Sequence, residues 1–212
     1  MRNVLVIGAT RGLGAALATQ YATLPDTTVY ATARSPTPPA GSKNTIWIPN
    51  IDLLSPTVGA TLAAALPKPL NTVILTAGIF PAETLSTLDF AAEVKTYTIS
   101  AIAPPFVAAS LHKAGLLPAG AKFVMVTSEA GSIGLRHQKE GGGNYAHHGS
   151  KAAGNMVGKL LALDLEAKGV IVGVVHVGFT FPPACFLCGA LGLICLFLAR
   201  VYAHGNDEGR GV

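Results

Sequence analysis

The stretch that most constrains this chain is NVLVIGATRGLG, residues 3–14. Val4-Leu5-Val6-Ile7 is an unbroken apolar run, the pattern of a strand buried on both faces of a parallel sheet. It ends at Gly8, passes through Ala9-Thr10-Arg11 to Gly12-Leu13-Gly14, and an Ala-rich helical pattern continues to about Leu24. Each glycine meets a mechanical need: Gly8 a tight turn, Gly12 the approach of backbone to a pyrophosphate, Gly14 close packing of helix on strand. The free N–H groups that open the helix then form an anion site. Gly8, Thr10, Arg11, Gly12, Leu13 and Gly14 are therefore the expected cradle of a dinucleotide.

At 212 residues the chain fits one domain with a substantial core. Half of its residues are hydrophobic and 12% are charged, which excludes a disordered chain. The formal charge of +4 comes from scattered basic residues, which argues against a nucleic-acid surface and suits an anionic cofactor.

After the first helix, Thr27–Ala33 reads as a second strand with Arg34 just past its end. In dinucleotide folds a carboxylate near this point holds the ribose 2′-hydroxyl. Here no acid is present to repel a phosphate, and the Arg34 guanidinium can grip one bidentately, with Arg11 as a second positive charge. The expected cofactor is NADP(H) rather than NAD(H). Residues 35–42, SPTPPAGS, form a Pro-rich connection. Ile46–Ile48 is a short third strand, and Asp52 after it is placed to accept from an adenine amino group.

Ser55 opens a helix over Val58–Leu66, which Pro67 stops, and Thr72–Leu75 is a fourth strand. A helical region from Asp89 to about Lys113 is expected to break at Pro104-Pro105. Lys122–Thr127 is a fifth strand, and Ser128 stands at its carboxyl end, where open α/β sheets place their sites. A helix from about Asn144 to Lys168 and a strand over Val170–His176 complete the series. The alternation predicts a Rossmann-type, doubly wound parallel sheet between two helical layers, α/β/α, in a single domain.

Gly8/Gly12/Gly14, Ala77-Gly78, Thr127-Ser128-Glu129-Ala130-Gly131 and Ser150-Lys151-Ala152-Ala153 together resemble the short-chain dehydrogenase/reductase family over roughly residues 3 to 180. The resemblance implies a Ser that hydrogen-bonds the substrate carbonyl, a Tyr that moves the proton, and a Lys four residues later that binds the nicotinamide ribose. It implies further that Ala77, Gly78 and Gly178 line the cofactor, and that an Asn four residues before the helix-breaking Pro helps hold a relay water.

By position these catalytic places fall to Ser128, His147, Lys151 and Ser100, so that His replaces Tyr and Ser replaces Asn. Tyr145, six residues before Lys151 and about 200° round a helix from it, serves only if the helix starts after it. His147 titrates near neutrality when free, but Lys151⁺ beside it favours the neutral ring. The expected function is an NADP(H)-dependent oxidoreductase acting on a small carbonyl or alcohol. Two readings stay open beside it: a non-redox isomerase, dehydratase or cyclase using His147, and a catalytically silent NADP(H)-binding protein. Homo-oligomers are common in the family.

Other departures lie further along. Leu75-Thr76 stands where the family has Asn-Asn, Val177 where it has Pro, and Pro182 where it has Thr. The sequence divides at about residue 180: residues 1–180 form the nucleotide-binding domain, and 181–212 an atypical apolar segment with a polar tail. Ala184–Ala199 carries no charge, yet its 16 residues fall short of the roughly 20 that cross a bilayer, so packing on the sheet or on a second subunit is expected. Cys185 and Cys188 lack a second pair or a His cluster, and no metal or redox site is expected there. Met1 leads straight into the first strand without a secretory signal, so the expected compartment is the cytoplasm.

Overall fold

The computed structural model describes residues 1–39 and 43–177. Gly178, Pro182, the three cysteines and the apolar segment Ala184–Ala199 lie outside them. Six strands, β1 (Arg2–Ile7), β2 (Thr27–Thr32), β3 (Thr45–Ile48), β4 (Thr72–Leu75), β5 (Lys122–Val126) and β6 (Ile171–Val175), form one sheet in the order β3-β2-β1-β4-β5-β6. Every pairing is parallel, and β1 lies between β2 and β4, with Val6 opposite Ala31 on one side and Ile74 on the other. This is the expected doubly wound sheet in a single domain.

The β1 run is apolar throughout because it has two cores to serve. Val4 and Val6 face α1 (Gly12–Ala22), packing with Ala18, Ala22, Val29 and Ile74. Leu5 and Ile7 point the other way, into a larger core with Val73, Leu75, Phe123 and Met125. Over that second face lie α2 (Val58–Ala65), α4 (Ala103–Lys113) and α5 (Tyr145–Glu166), contributing Leu62, Val107, Leu111, Leu161 and Leu165. Each such fully buried side chain contributes about 1.5–3 kcal/mol by leaving water.

The helical region after Asp89 shows how local chemistry sets an element. The Asp89 carboxylate accepts from Ala91 N–H at 2.8 Å and Ala92 N–H at 3.2 Å and so caps α3 (Phe90–Tyr97). The expected break at Pro104-Pro105 appears one turn earlier, as a π-helical turn over Thr98–Ile102, before α4 begins. A proline ring clashes with the carbonyl four residues back, which for Pro104 is that of Ser100, and the wider turn relieves it.

Strand and helix alternate except between β2 and β3, where the described residues form bends and a turn. The strand order reverses between β1 and β4, the switch point outside whose carboxyl ends such sheets bind ligands. That edge gathers Gly8 after β1, Arg34 after β2, Thr76–Gly78 after β4 and Ser128 after β5.

Candidate active site

The site has two halves, one on each side of the switch point. In the first, Gly8 has φ +90, and a Cβ on it would stand 2.8 Å from the backbone nitrogen of Ala77. On Gly14 a Cβ would run into the Gly8 carbonyl and the Thr76 hydroxyl. These two glycines are packing requirements. Gly12 differs: its φ is +57, and nothing lies within 4 Å of where a Cβ would stand, so its backbone is open to an approaching group.

Thr32 Oγ1 accepts from Gly8 N–H at 3.0 Å, and Thr76 Oγ1 donates to the Ile7 carbonyl at 2.9 Å. Thr76 thus braces the end of β1 from a position where the family places an asparagine. The α1 N-terminus has no side-chain cap and no acid in its first turn. The first turn's N–H groups, at Gly12, Leu13 and Gly14, are therefore left for an anion. Thr10 and Arg11 are exposed beside them.

Arg34 is exposed past β2, and among the described residues no hydrogen bond or ion pair holds its guanidinium. Asp52 follows β3 and accepts from Leu54 N–H at 3.0 Å, which orients its carboxylate in the loop beside the end of β2. Uncapped helix donors, an open Gly12 and an Arg34 unpaired among the described residues fit an anionic dinucleotide.

The second half is built on α5. Ser128, the residue after β5 and Thr127, caps a short 3-10 turn over Glu129–Gly131, its Oγ accepting from Ala130 N–H at 3.1 Å. That turn presses on α5: a Cβ on Gly131 would stand 2.6 Å from the carbonyl carbon of Lys151. Thr127 Oγ1 donates to Asn155 Oδ1 at 2.6 Å and ties the strand end to the same helix. Lys151 reaches back to the sheet, where its Nζ donates to the Val126 carbonyl at 3.1 Å and stands 3.8 Å from where a Gly78 Cβ would be. Burial pushes the Lys151 ammonium below its ordinary pKa. Ser100 lies in the π turn, 6% exposed, with no partner for its hydroxyl among the described residues, and its carbonyl faces Gly154 of α5.

His147 sits one turn before Lys151, half-buried, its ring edge-on to Phe80 with centroids 4.6 Å apart. Nδ1 is enclosed and has no hydrogen-bond partner among the described residues. Burial first, then the charges of Lys151 and His148, push its pKa down to about 4. Tyr145 is the first residue of α5 and 38% exposed, so the helix does not begin after it. Its hydroxyl turns back over Gly142, along a cleft of about 550 Å³ that Glu83 and Asn144 also line.

Ser100, Ser128, His147 and Lys151 are thus gathered around the first turns of α5, while Tyr145 belongs to the neighbouring cleft. Thr127 and Gly131, which the sequence offered only as part of a family motif, join β5 to α5; sequence reasoning passed over Asn155, the partner of Thr127, and the buried Glu83. Among the described residues no group of His, Cys, Asp and Glu side chains is placed to hold a metal, and no helix is long and apolar enough to cross a membrane.

Comparison with known proteins agrees with this fold. The family described as short chain dehydrogenase matches residues 2–184. The chain is 30% identical over 181 residues to 1-hydroxy-2-glutathionyl-2-methyl-3-butene dehydrogenase of Rhodococcus sp. (strain AD45), covering 84% of this chain and 77% of that protein. In fold it is similar to the NADPH-bound carbonyl reductase from chicken fatty liver, with a TM-score of 0.72, 24% identity, and 84% of this chain and 79% of that one covered. A short chain dehydrogenase from Burkholderia cenocepacia in complex with NADP gives a TM-score of 0.69 at 22% identity, covering 82% of this chain and 73% of that one. The chain belongs to the short-chain dehydrogenase/reductase family of oxidoreductases.

Proposed function

We propose that the chain is an NADP(H)-dependent oxidoreductase of a small carbonyl or alcohol in which His147, not a tyrosine, handles the substrate proton. The carrying observation is the placement of His147 on α5 one turn before Lys151, whose ammonium reaches the ends of β4 and β5. Preference for NADP(H) rests on Arg34, unpaired among the described residues, and on the absence of an acid directly after β2; two of the solved relatives in fold also hold the phosphorylated cofactor. Gly12, Leu13, Gly14 and Arg34 would hold its phosphates, Lys151 its nicotinamide ribose, and the bound cofactor supplies or takes up the hydride.

The chain's own part is the proton. In this reading Ser128 hydrogen-bonds the substrate oxygen, and with Nδ1 enclosed, Nε2 is the nitrogen of His147 left for that oxygen. At neutral pH the ring is neutral. It is therefore ready to accept the proton of an alcohol and poorly populated as a donor to a carbonyl. Near neutrality the form that accepts a proton is the populated one, and carbonyl reduction is slow until the ring is charged. The experiment is a paired assay with NADP⁺ plus small alcohols and with NADPH plus small aldehydes. Oxidation should be steady above about pH 5, and reduction should climb on acidification. Turnover that is unchanged in His147→Ala contradicts the assignment.

The same low basicity favours one second reading, a protein that binds NADP(H) without turnover. It is the correct one if NADPH binds and neither reaction is detected.

A further inference from the structure

Glu83 is a feature the reaction as described does not use. It lies in the loop between β4 and α3 and is 6% exposed, although Ala82 and Thr84 on either side are exposed. A carboxylate so enclosed needs donors. They come from a point some 60 residues away in sequence, the start of α5. Ala146 N–H donates to Glu83 Oε2 at 3.2 Å. Asn144 N–H donates to the Glu83 carbonyl at 2.8 Å, and Glu83 N–H donates to Asn144 Oδ1 at 3.2 Å.

The approach is close: at Gly143, with φ +89, a Cβ would stand 2.8 Å from the Glu83 carbonyl oxygen. Asn144 itself is left-handed, with φ 51 and ψ 43, and its side chain makes no capping bond to the helix it precedes. An N-cap side chain ordinarily accepts from the second or third helical N–H. Here the second, that of Ala146, is met from another loop by Glu83. The charged group facing Glu83 is Glu93 of α3. Burial, then the charge and hydrogen bond of Glu83, push the Glu93 carboxyl above its ordinary range.

We infer that Glu83 is a positioning residue for the active site: it fixes the first turn of α5 and thereby holds His147 against Phe80 and over Lys151. Released, that turn frays, and the ring at 147 leaves both its apolar neighbour and its cationic one. The consequence for catalysis rests on the function proposed above; the clamp itself does not.

The test uses the full chain with isotope-labelled histidine and follows the His147 ring by NMR through a pH titration. The wild type should titrate at about 4. Glu83→Ala should raise that midpoint toward the ordinary 6.5, because water reaches the ring and Lys151 recedes. Glu83→Gln should leave it near the wild-type value, since the amide oxygen still accepts from Ala146 N–H while its NH₂ donates to Glu93. Should Glu83→Ala not fold, Glu83→Asp withdraws the oxygen by one methylene while keeping the charge, and should show the same rise. A midpoint that stays at the wild-type value in the folded Ala or Asp variant overturns the inference. So does a rise in Glu83→Gln equal to that in Glu83→Ala. The titration requires no turnover, so an absence of reductase or dehydrogenase activity overturns the proposed function without touching this result.

Discussion

The two halves of the site differ in what their function demands of the sequence. Around β1 and α1 the work is done by backbone: N–H groups at a helix start, and glycines that let strands and turns approach. Around β5 and α5 the proposed function puts it on individual side chains, above all His147. The backbone half tolerates change at its supports. Thr76 braces the Ile7 carbonyl at 2.9 Å from a place the family gives to asparagine, because any donor of suitable reach will do. The side-chain half tolerates far less: under the proposed function, His147 in the tyrosine's position brings a different pKa and leaves the proton-donating form scarce at neutrality. Under the proposed function, the family fold is kept while the chemistry is retuned at one residue.

The largest expected effect breaks the backbone half. Gly14→Val places a Cβ against the Gly8 carbonyl and Thr76, where neither a rotamer nor a small shift makes room. It should cost about 4 kcal/mol or more, read by urea denaturation. Gly12→Ala is its control: with open space around it, that variant should lose only about 1 kcal/mol of stability for its left-handed backbone while losing NADPH affinity.

Next in size is His147→Tyr, which restores the family's donor over Lys151. Carbonyl reduction at neutral pH should rise by a factor on the order of 10²–10⁴, measured as NADPH consumption with a small aldehyde. An unchanged rate would mean that the proton half is limited elsewhere. Arg34→Asp should follow, weakening NADPH by about 1.5–3 kcal/mol through loss of a charge-assisted pair while NADH is little affected. Equal dissociation constants for the two nucleotides in calorimetry of the unaltered chain would remove the basis for NADP(H). The smallest effect is expected from Tyr145→Phe, whose hydroxyl lies over Gly142 rather than toward Lys151. Turnover should change by less than about twofold.

The comparison also explains what could be read from the sequence. The strands were legible because a parallel strand buried on both faces must be apolar at every position. Val4–Ile7 and Thr72–Leu75 leave little room for another reading, and the boundaries found agree to within a residue or two. The glycine turn was legible because its residue types follow from sterics. The π turn over Thr98–Ile102 was not, since its cause is a clash between Pro104 and a carbonyl a full turn earlier. Glu83 was invisible for a different reason. A single acid in a polar loop has no pattern, and its value comes only from the 61-residue bridge to Asn144 that folding creates. His147 could be placed by counting back from Lys151, but its enclosure by Phe80 and the orphaned Nδ1 depend on packing that no spacing encodes.

The most direct test of the account is the pH profile of carbonyl reduction under saturating NADPH, wild type beside His147→Ala. Burial and the neighbouring Lys151 and His148 hold the His147 pKa at about 4, below the ordinary 6.5, so the donor form is scarce at neutrality. Its population grows about tenfold for each unit of acidification until that pKa is reached. The wild-type rate should climb along that slope as pH falls, and His147→Ala should be slow and flat across the range. Overlapping profiles for the two proteins would contradict the account and remove His147 from the chemistry.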